Sequence, residues 1–544
     1  MNLELQSAPA LERLFPNSQT EPMLAAIDIG TNSVHMVVVK IQPDLPAFRI
    51  VAREKETVRL GDRDRESGNL KPEVMKKAIA ALGRFQDIAR HLEVERIIAV
   101  ATSATREAPN GTEFLQQIKS ELGLSVSLIS GQEEARRIYL GILSGMELHG
   151  QPHVAIDIGG GSTELILGDG REPRSLSSTK VGAVRLTGEF VSTDPISSTE
   201  FQYLQAYIRG MLERPVEELQ AHLQPGEIPQ LIGTSGTIEC LAQIHARQTL
   251  GMAPSRLHGY EFSLTDLRSI VKKLRKLTHA ERLAVPGISE RRAEIILAGA
   301  LILQEAMTLL GIDSIRVCER SLREGVIVDW MLMRGLIEDR LSYQSSIRQR
   351  STLLIAQKYG VNLAHARRVA NFALNLFDLT QGSLHPWQAR ERQLLWSAAI
   401  LHNCGIYVSH SSHHKHSYYL IRNGELLGYT EMDIETIAQI ARYHRKSPPK
   451  KSHETYQVLP KKQQQIVAQL SALLRLATAL DRRQIGAVSR IDGEYRERVR
   501  ELWLLLHPTN PEDTCELELW SLDYKKEVFE AEFGVKLMAV LGET

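Results

Sequence analysis

Paired cysteines are what this chain most plainly lacks. Its four, Cys240, Cys318, Cys404 and Cys515, are scattered, and none stands in a CxxC. That spacing excludes a disulfide frame and a zinc ribbon, and they read as reduced thiols of a cytoplasmic protein. Net charge is missing too: 65 Lys and Arg balance 65 Asp and Glu. No global field draws the chain to nucleic acid or to a membrane surface, so any anion site must be local. No apolar run approaches the ~18 residues of a spanning helix. The start of the chain carries Glu4 and Glu12 and has no basic stretch leading into an apolar one. Residues 1–21 therefore read as a loose tail and not as a signal peptide. There is no low-complexity tract. At 544 residues the chain has room for three or four domains, taken at ~150 residues each.

What is present is a repeat. Ala26-Ile27-Asp28-Ile29-Gly30 recurs, residue for residue, as Ala155-Ile156-Asp157-Ile158-Gly159. Each copy is an apolar run with an acid near its end, followed by small and hydroxylated residues. These are Thr31-Asn32-Ser33 in the first copy and Gly160-Gly161-Ser162-Thr163 in the second, and each leads into another apolar stretch. The pattern predicts strand, tight turn, strand, twice over. Two such halves facing each other would put two backbone-rich turns, each beside an Asp, around a phosphate chain and its metal ion.

The rest of the first 335 residues alternates strand and helix signals, which is α/β. Helices are expected at Pro72–Leu92, Thr112–Leu122, from Gln132, near Thr199–Leu219, from Ile238 and over Arg291–Leu310. Strands are expected at Arg49–Arg59, Arg96–Thr102, Ser125–Ser130, Gln230–Gly233 and Ser314–Val317. From about Leu336 the pattern turns almost wholly helical as far as Asp481. Past Gly493 strand-like segments return at Val499–His507, Cys515–Leu522 and Phe529–Met538.

Several groups carry chemistry. Glycines 159 to 161 permit close backbone approach, and their N–H groups with Ser162 can surround phosphate oxygens. A third turn, Gly233-Thr234-Ser235-Gly236-Thr237, joins the two copies as a candidate phosphate loop. The plain alternative for each is a turn that needs glycine. Ser130-Gly-Gln-Glu133-Glu134 opens a helix. Ser130 as N-cap would place Glu133 in a capping box and leave Glu134 free. A free carboxylate near Asp157 and Glu164 has its pKa raised toward the range of a general base, against the alternative of a solvated acid at a helix start. Arg106 sits just past a strand, where ligand loops open in α/β sheets, and suits multidentate phosphate contact. Lys180 and Arg185 flank a comparable loop. In the helical part, His402-Asn403, with His365, His416, His444 and Asp481, resembles a metal-dependent phosphohydrolase pair in which Asn replaces Asp, so a full metal site is not expected there. Basic clusters at His410–His416 and Arg442–Lys451, with Arg442, Arg445 and Lys446, could line an anion path; a solvated basic loop is the alternative.

Together these segments resemble the exopolyphosphatase / guanosine pentaphosphate phosphohydrolase (Ppx/GppA) family. The likeness runs through Ala26–Met36, Ala101–Arg106, Ile129–Arg136, Ile156–Leu165, Gly233–Thr237, Ser321–Gly325, Leu401-His402, His416–Leu420 and Arg442–Lys446. It implies a duplicated actin-like α/β fold of the sugar kinase, Hsp70 and actin superfamily. The first subdomain would span 22–140 and be rejoined by about 308–335, and the second would span 141–307. A helical HD-like domain over 336–492 and a small C-terminal β or α+β domain over 493–544 would follow.

By position the resemblance makes Glu134 the catalytic acid/base. It makes Asp157 and Glu164 the acids that serve activity and Mg²⁺, with Mn²⁺ as the alternative metal. Asp28, Gly30, Thr31, Asn32 and Ser33 fall in one phosphate loop and Gly159, Gly160, Gly161 and Ser162 in the other, with Arg106 on phosphate. The expected activity is release of terminal orthophosphate from inorganic polyphosphate. Hydrolysis of guanosine pentaphosphate (pppGpp) in the same cleft is the nearest rival. An ATP-dependent kinase and a sensor without turnover are the remaining readings. No nucleic acid and no membrane span are expected, and a homodimer is left open.

Overall fold

The computed structural model describes residues 21–64, 66–252, 254, 256–337 and 346–542. The tail expected over 1–21 lies outside them except for Glu21. The chain divides into two compact units between Ile347 and Arg348, later than the expected change at Leu336.

The first unit is built on two sheets. Strands β1 (Met23–Ile29), β2 (Ser33–Gln42), β3 (Ala47–Thr57), β4 (Arg96–Ala101) and β5 (Val126–Leu128) form the first, in the order β3-β2-β1-β4-β5. Strands β6 (His153–Ile158), β7 (Thr163–Gly168), β8 (Ser175–Thr179), β9 (Gln230–Thr234), β10 (Glu261–Ser263) and β11 (Ser314–Val317) form the second, in the order β8-β7-β6-β9-β11-β10. Apart from the added edge strand β10, the orders are the same. In both, two antiparallel pairings lead into two parallel ones. The repeated pentapeptide thus marks a duplicated topology. β6 and β7 are buried along their whole length. Their near-continuous apolar runs are what a sheet covered on both faces requires.

The Gly131–Leu143 helix follows β5, and the Leu322–Met333 helix follows β11. They pack on each other through glycine. A Cβ on Gly325 would lie 1.7 Å from the Arg137 carbonyl oxygen, and one on Gly141 would lie 2.0 Å from that of Ser321. β11 belongs to the second sheet, so only the helix after it rejoins the first half, not all of 308–335.

Two further differences from the sequence expectations concern helices. The helix expected over Arg291–Leu310 is two pieces, Glu290–Ala293 and Ile296–Leu310. And Cys515–Leu522 is not a strand: it begins the Glu516–Phe533 helix. Its alternating Glu and Leu mimic a strand, but Glu518, Ser521, Leu522, Phe529 and Phe533 are the buried set, which is helical spacing.

In the second unit, helices Leu363–Thr380, Ala389–Leu401, His413–Arg422, Glu431–Arg442 and Lys461–Leu480 precede a three-stranded sheet. Its strands are β12 (Val488–Arg496), β13 (Glu501–Pro508) and β14 (Lys536–Leu541), and the expected change at Gly493 falls inside β12. The Glu516–Phe533 helix packs on Lys461–Leu480. No helix among the described residues is long and apolar enough to cross a membrane.

The helix contact at Gly325 has a direct test. Gly325→Ala places a methyl against backbone, which no rotamer change relieves, and should cost about 1–3 kcal/mol. Gly210→Ala, on a helix position with nothing within 4 Å of its Cβ, should cost nothing. Urea midpoints of the two variants check this; equal midpoints would disprove the close approach.

Candidate active site

The two hairpins match atom for atom in their turns. Gly30 N–H donates to Ser33 O at 3.1 Å, and Gly159 N–H to Ser162 O at 2.9 Å. Asp28 pairs across the first hairpin with His35, and Asp157 across the second with Glu164. His35 is therefore the counterpart of Glu164. The turn carbonyls are occupied. Thr31 O accepts from Gly61 N–H, Asn32 O from Val58 and Arg59, Gly160 O from Val184 and Arg185, and Gly161 O from Arg185 Nε at 3.0 Å. What the turns have left to offer a ligand is their N–H groups, the arrangement that suits an anion. Arg185 is thus a brace for the second loop, tied also to Glu107 at 2.6 Å. The loops lie close together: a Cβ on Gly161 would stand 2.5 Å from Ser103 Oγ and 2.8 Å from Thr31 Oγ1. Only glycine allows this approach.

Asp28, Gly30 to Ser33, Glu134, Asp157, Gly159 to Ser162, Glu164, Ser235 and Gly236 line one cleft of about 190 Å³. Three expected phosphate contacts lie off it. Gly233 sits inside β9, where a Cβ would meet Ile315 at 2.4 Å, so its glycine serves sheet packing. Thr237 is buried behind the loop and accepts from Arg292 Nη1 at 3.2 Å. Arg106 lines a neighbouring cavity, and its Nη1 donates to Ile129 O at 2.7 Å and Glu134 Oε2 at 3.2 Å. It holds the carboxylate in place. Ser235 has φ of 101° and a buried Oγ with no hydrogen-bond partner. Such strain at a loop facing a cleft is what a ligand site sustains.

Sequence reasoning missed the cleft's cations. Arg292, Arg323 and Lys55 all line it, with Ser321, whose Oγ donates to Asp157 Oδ2 at 2.5 Å. Arg323 lies in the Ser321–Gly325 segment, which carried a signal; Arg292 and Lys55 had none.

Glu133 does not form the expected capping box. Ser130 Oγ accepts from Glu133 N–H, but the Glu133 carboxylate is taken by Arg136 (2.7 and 2.8 Å) and Arg137 (2.7 Å). Arg136 also reaches Asp329 at 2.7 Å. Charge-assisted bidentate bonds win over a reach back to one N–H. Arg136 and Arg137, held by Glu133, tie the Gly131–Leu143 helix to Asp329 of the Leu322–Met333 helix, while Glu134 lines the cleft.

The acids of the cleft hold their protons tightly. Burial raises Glu134 well above the ordinary carboxylate range, with Glu164 adding to the effect and Arg106 opposing it. Burial also raises Glu164, with the charge of Asp157 adding and bonds from Ser162 and Ser178 opposing. Asp157 is raised by burial as well, against its bond from Ser321. Asp28 goes up to about 7, again chiefly by burial. Its Oδ1 is sealed from water without a partner. Clustered like charges in a low-dielectric site cannot all ionise.

The donor set fits a hard divalent cation. The carboxylates are oxygen donors, and Asp28 Oδ1 has no partner of its own. No three His, Cys, Asp or Glu among the described residues are arranged as a metal cage. Mg²⁺ needs none: it takes one or two carboxylates plus substrate phosphates and water.

Three buried histidines of the second unit bond the protein through Nδ1. His365 Nδ1 meets Asp481 Oδ2 at 2.7 Å, and Arg368 donates to the same oxygen. His402 and His444 bond the Ala399 and Ala441 carbonyls, each at 2.6 Å. Arg442, Arg445 and Lys446 do not converge. Arg442 lies over Tyr418 and bonds Thr455, Arg445 lies 3.0 Å from His413, and Lys446 is exposed.

Comparison with known proteins gives one family. A model described as the Ppx/GppA phosphatase family matches residues 37–334, and one for Ppx/GppA phosphatase domain III matches 347–526. A solved exopolyphosphatase from Cytophaga hutchinsonii is 29% identical, with 58% of this chain and 99% of its own covered and a TM-score of 0.53. A Ppx/GppA family member from Aquifex aeolicus is 28% identical, with 58% and 99% covered and a TM-score of 0.50.

The raised acids predict how stability depends on pH. Glu164 keeps its proton in the folded cleft at pH values where the unfolded chain, near the ordinary 4.5, has lost it. Stability is thus fully present below that value and falls as pH rises toward the folded pKa. Glu164→Gln removes the penalty. It should flatten the fall in melting temperature between about pH 5 and pH 8, and stabilise the ligand-free protein by roughly 1–3 kcal/mol at the upper end. A variant as pH-sensitive as the parent would count against a protonated Glu164.

Proposed function

The chain belongs to the Ppx/GppA phosphatase family, and we propose that it is an exopolyphosphatase, hydrolysing the terminal phosphoanhydride bond of inorganic polyphosphate. The observation that carries the reading is Glu134: a buried carboxylate, held by Arg106, at the junction of two in-register phosphate loops. The chain end would lie between the loops, against their N–H groups and Ser235, with Arg292, Arg323 and Lys55 offsetting the charge of the phosphates behind it. Glu134, ionised when the cleft is filled, takes a proton from the water that attacks the last phosphorus. Its raised pKa makes it a stronger base than an ordinary carboxylate. Mg²⁺, held by Asp157 and Glu164 with Asp28 beside them, would supply neutralisation of phosphate charge. Phosphoryl transfer needs little else from a protein than positioning and charge stabilisation.

The choice of polyphosphate over pppGpp also rests on the cleft. Among the described residues, its lining contains no Phe, Tyr or Trp on which a guanine could stack. The basic residues of the second unit, which do not converge, do not carry the argument. A sensor without turnover is disfavoured by the acids of the cleft, and an acceptor-dependent kinase by the Ser130–Arg136 segment.

Three outcomes are expected. Glu134→Gln should lower turnover by roughly 10²–10⁴-fold while polyphosphate binding persists; activity within tenfold of the parent would remove Glu134 as base. Chelation should abolish phosphate release, with Mg²⁺ or Mn²⁺ restoring it and Asp157→Asn raising the metal concentration needed. Orthophosphate release from long polyphosphate should exceed that from pppGpp at equal concentrations of ends. The opposite order would make the nucleotide the substrate.

A further inference from the structure

We infer that the cavity behind Glu134 is an exit for orthophosphate, separate from the cleft that holds the chain. This rests on the proposed hydrolysis and adds where its product goes.

A second cavity of about 480 Å³ adjoins the cleft on the far side of the Gly131–Leu143 helix start. Ser162 lines both spaces. The partition between them is made of two side chains that end on cleft carboxylates. Arg106 reaches Glu134 at 3.2 Å, and Ser178 Oγ donates to Glu164 at 2.7 Å. At its base Gly131 packs directly on Ser178, where a Cβ would stand 2.5 Å from both Ser178 Cβ and Oγ. Neither gate residue is backbone. The proposed passage opens by rotation of these two side chains.

The two sides differ in charge. Arg292, Arg323 and Lys55 lie on the cleft side alone. Behind the partition, Arg106, Lys180 and Arg214 stand against Glu107 and Glu218, and Arg214 bonds Glu218 at 2.8 Å. The cleft suits several phosphates held in series. The rear cavity, with one more cation than acid, admits a single anion.

The reaction creates the need for such a passage. The water oxygen bonds to the terminal phosphorus and its proton goes to Glu134. The bridging P–O bond breaks, and its electron pair stays on the shortened chain as a new terminal phosphate oxygen. The orthophosphate is then enclosed between Glu134 and the new chain end. While the chain stays in the cleft, the way out runs past Glu134. A chain that advances by one phosphate per cycle requires that exit to clear first.

The test separates formation of orthophosphate from its release. Gln132 and Lys180 line the rear cavity, are exposed, and play no part in the cleft. Gln132→Trp obstructs the cavity and Lys180→Glu repels the product. Acid quench reads orthophosphate formed on the enzyme; a fluorescent phosphate-binding sensor reads orthophosphate set free. With long polyphosphate and Mg²⁺, both variants should form the first orthophosphate at the parent's rate and release it about tenfold more slowly. Tripolyphosphate, whose pyrophosphate remainder can leave by the cleft and open it, should be affected much less. Release at the parent's rate in both variants overturns the inference, and so does an equal fall in formation and release. A raised KM for long chains with unchanged release would make the rear cavity the chain's entrance, which also overturns it. If the unsubstituted protein forms no orthophosphate from polyphosphate, the proposed function fails, and this inference with it.

Discussion

Six carboxylates line one cleft, and four of them, Asp28, Glu134, Asp157 and Glu164, come from the two hairpins and the helix beside them. Asp28 and Asp157 come from the two copies of one pentapeptide. Glu164 faces Asp157 across a hairpin, and Glu134 enters from a helix. Burial pushes all four pKa values upward. Such a group is costly to fold and gives nothing to stability at neutral pH. It is compatible with the fold because protons occupy it when no other positive charge does.

The scaffold explains how the arrangement stays in register. Each hairpin closes with the same Gly-to-Ser backbone bond, so each Asp stands at the same height above its turn. Glycines at 160 and 161 let the second loop approach Thr31 and Ser103 of the first half. Glycines at 141 and 325 bring two helices into backbone contact, and Glu133 and Asp329, sharing Arg136 and Arg137, fix their relative rotation. Glu134 is next in sequence to Glu133 and points elsewhere because one helical step turns it about 100°. One acid serves the fold and its neighbour serves the cleft.

Much of this was legible before the structure. The repeat led to the duplicated sheets because strand, turn and register are local properties. Glu134 was legible through the family resemblance, since from the residues alone a solvated acid at a helix start is an equally available reading. The cations were not. Arg292 and Lys55 reach the cleft only through tertiary packing, from a short helical turn and an edge strand that carry no motif. Glu133 was misread because a capping box is a local bond, and two arginines on the next turn outcompete it. Gly233 was misread because a glycine required by the neighbouring Ile315 looks, in sequence, like a glycine required by phosphate. Arg442, Arg445 and Lys446 are adjacent in sequence but point to an aromatic face, a histidine and solvent.

The central claim is that protons hold the place of a cation among Asp28, Glu134, Asp157 and Glu164. Isothermal calorimetry of Mg²⁺–tripolyphosphate binding to Glu134→Gln, in two buffers of different ionisation enthalpy at neutral pH, counts the protons exchanged without turnover. The account predicts net release of protons into solution on binding, and a smaller release when Glu164 is also changed to Gln. Binding with no proton exchange, or with proton uptake, would contradict it.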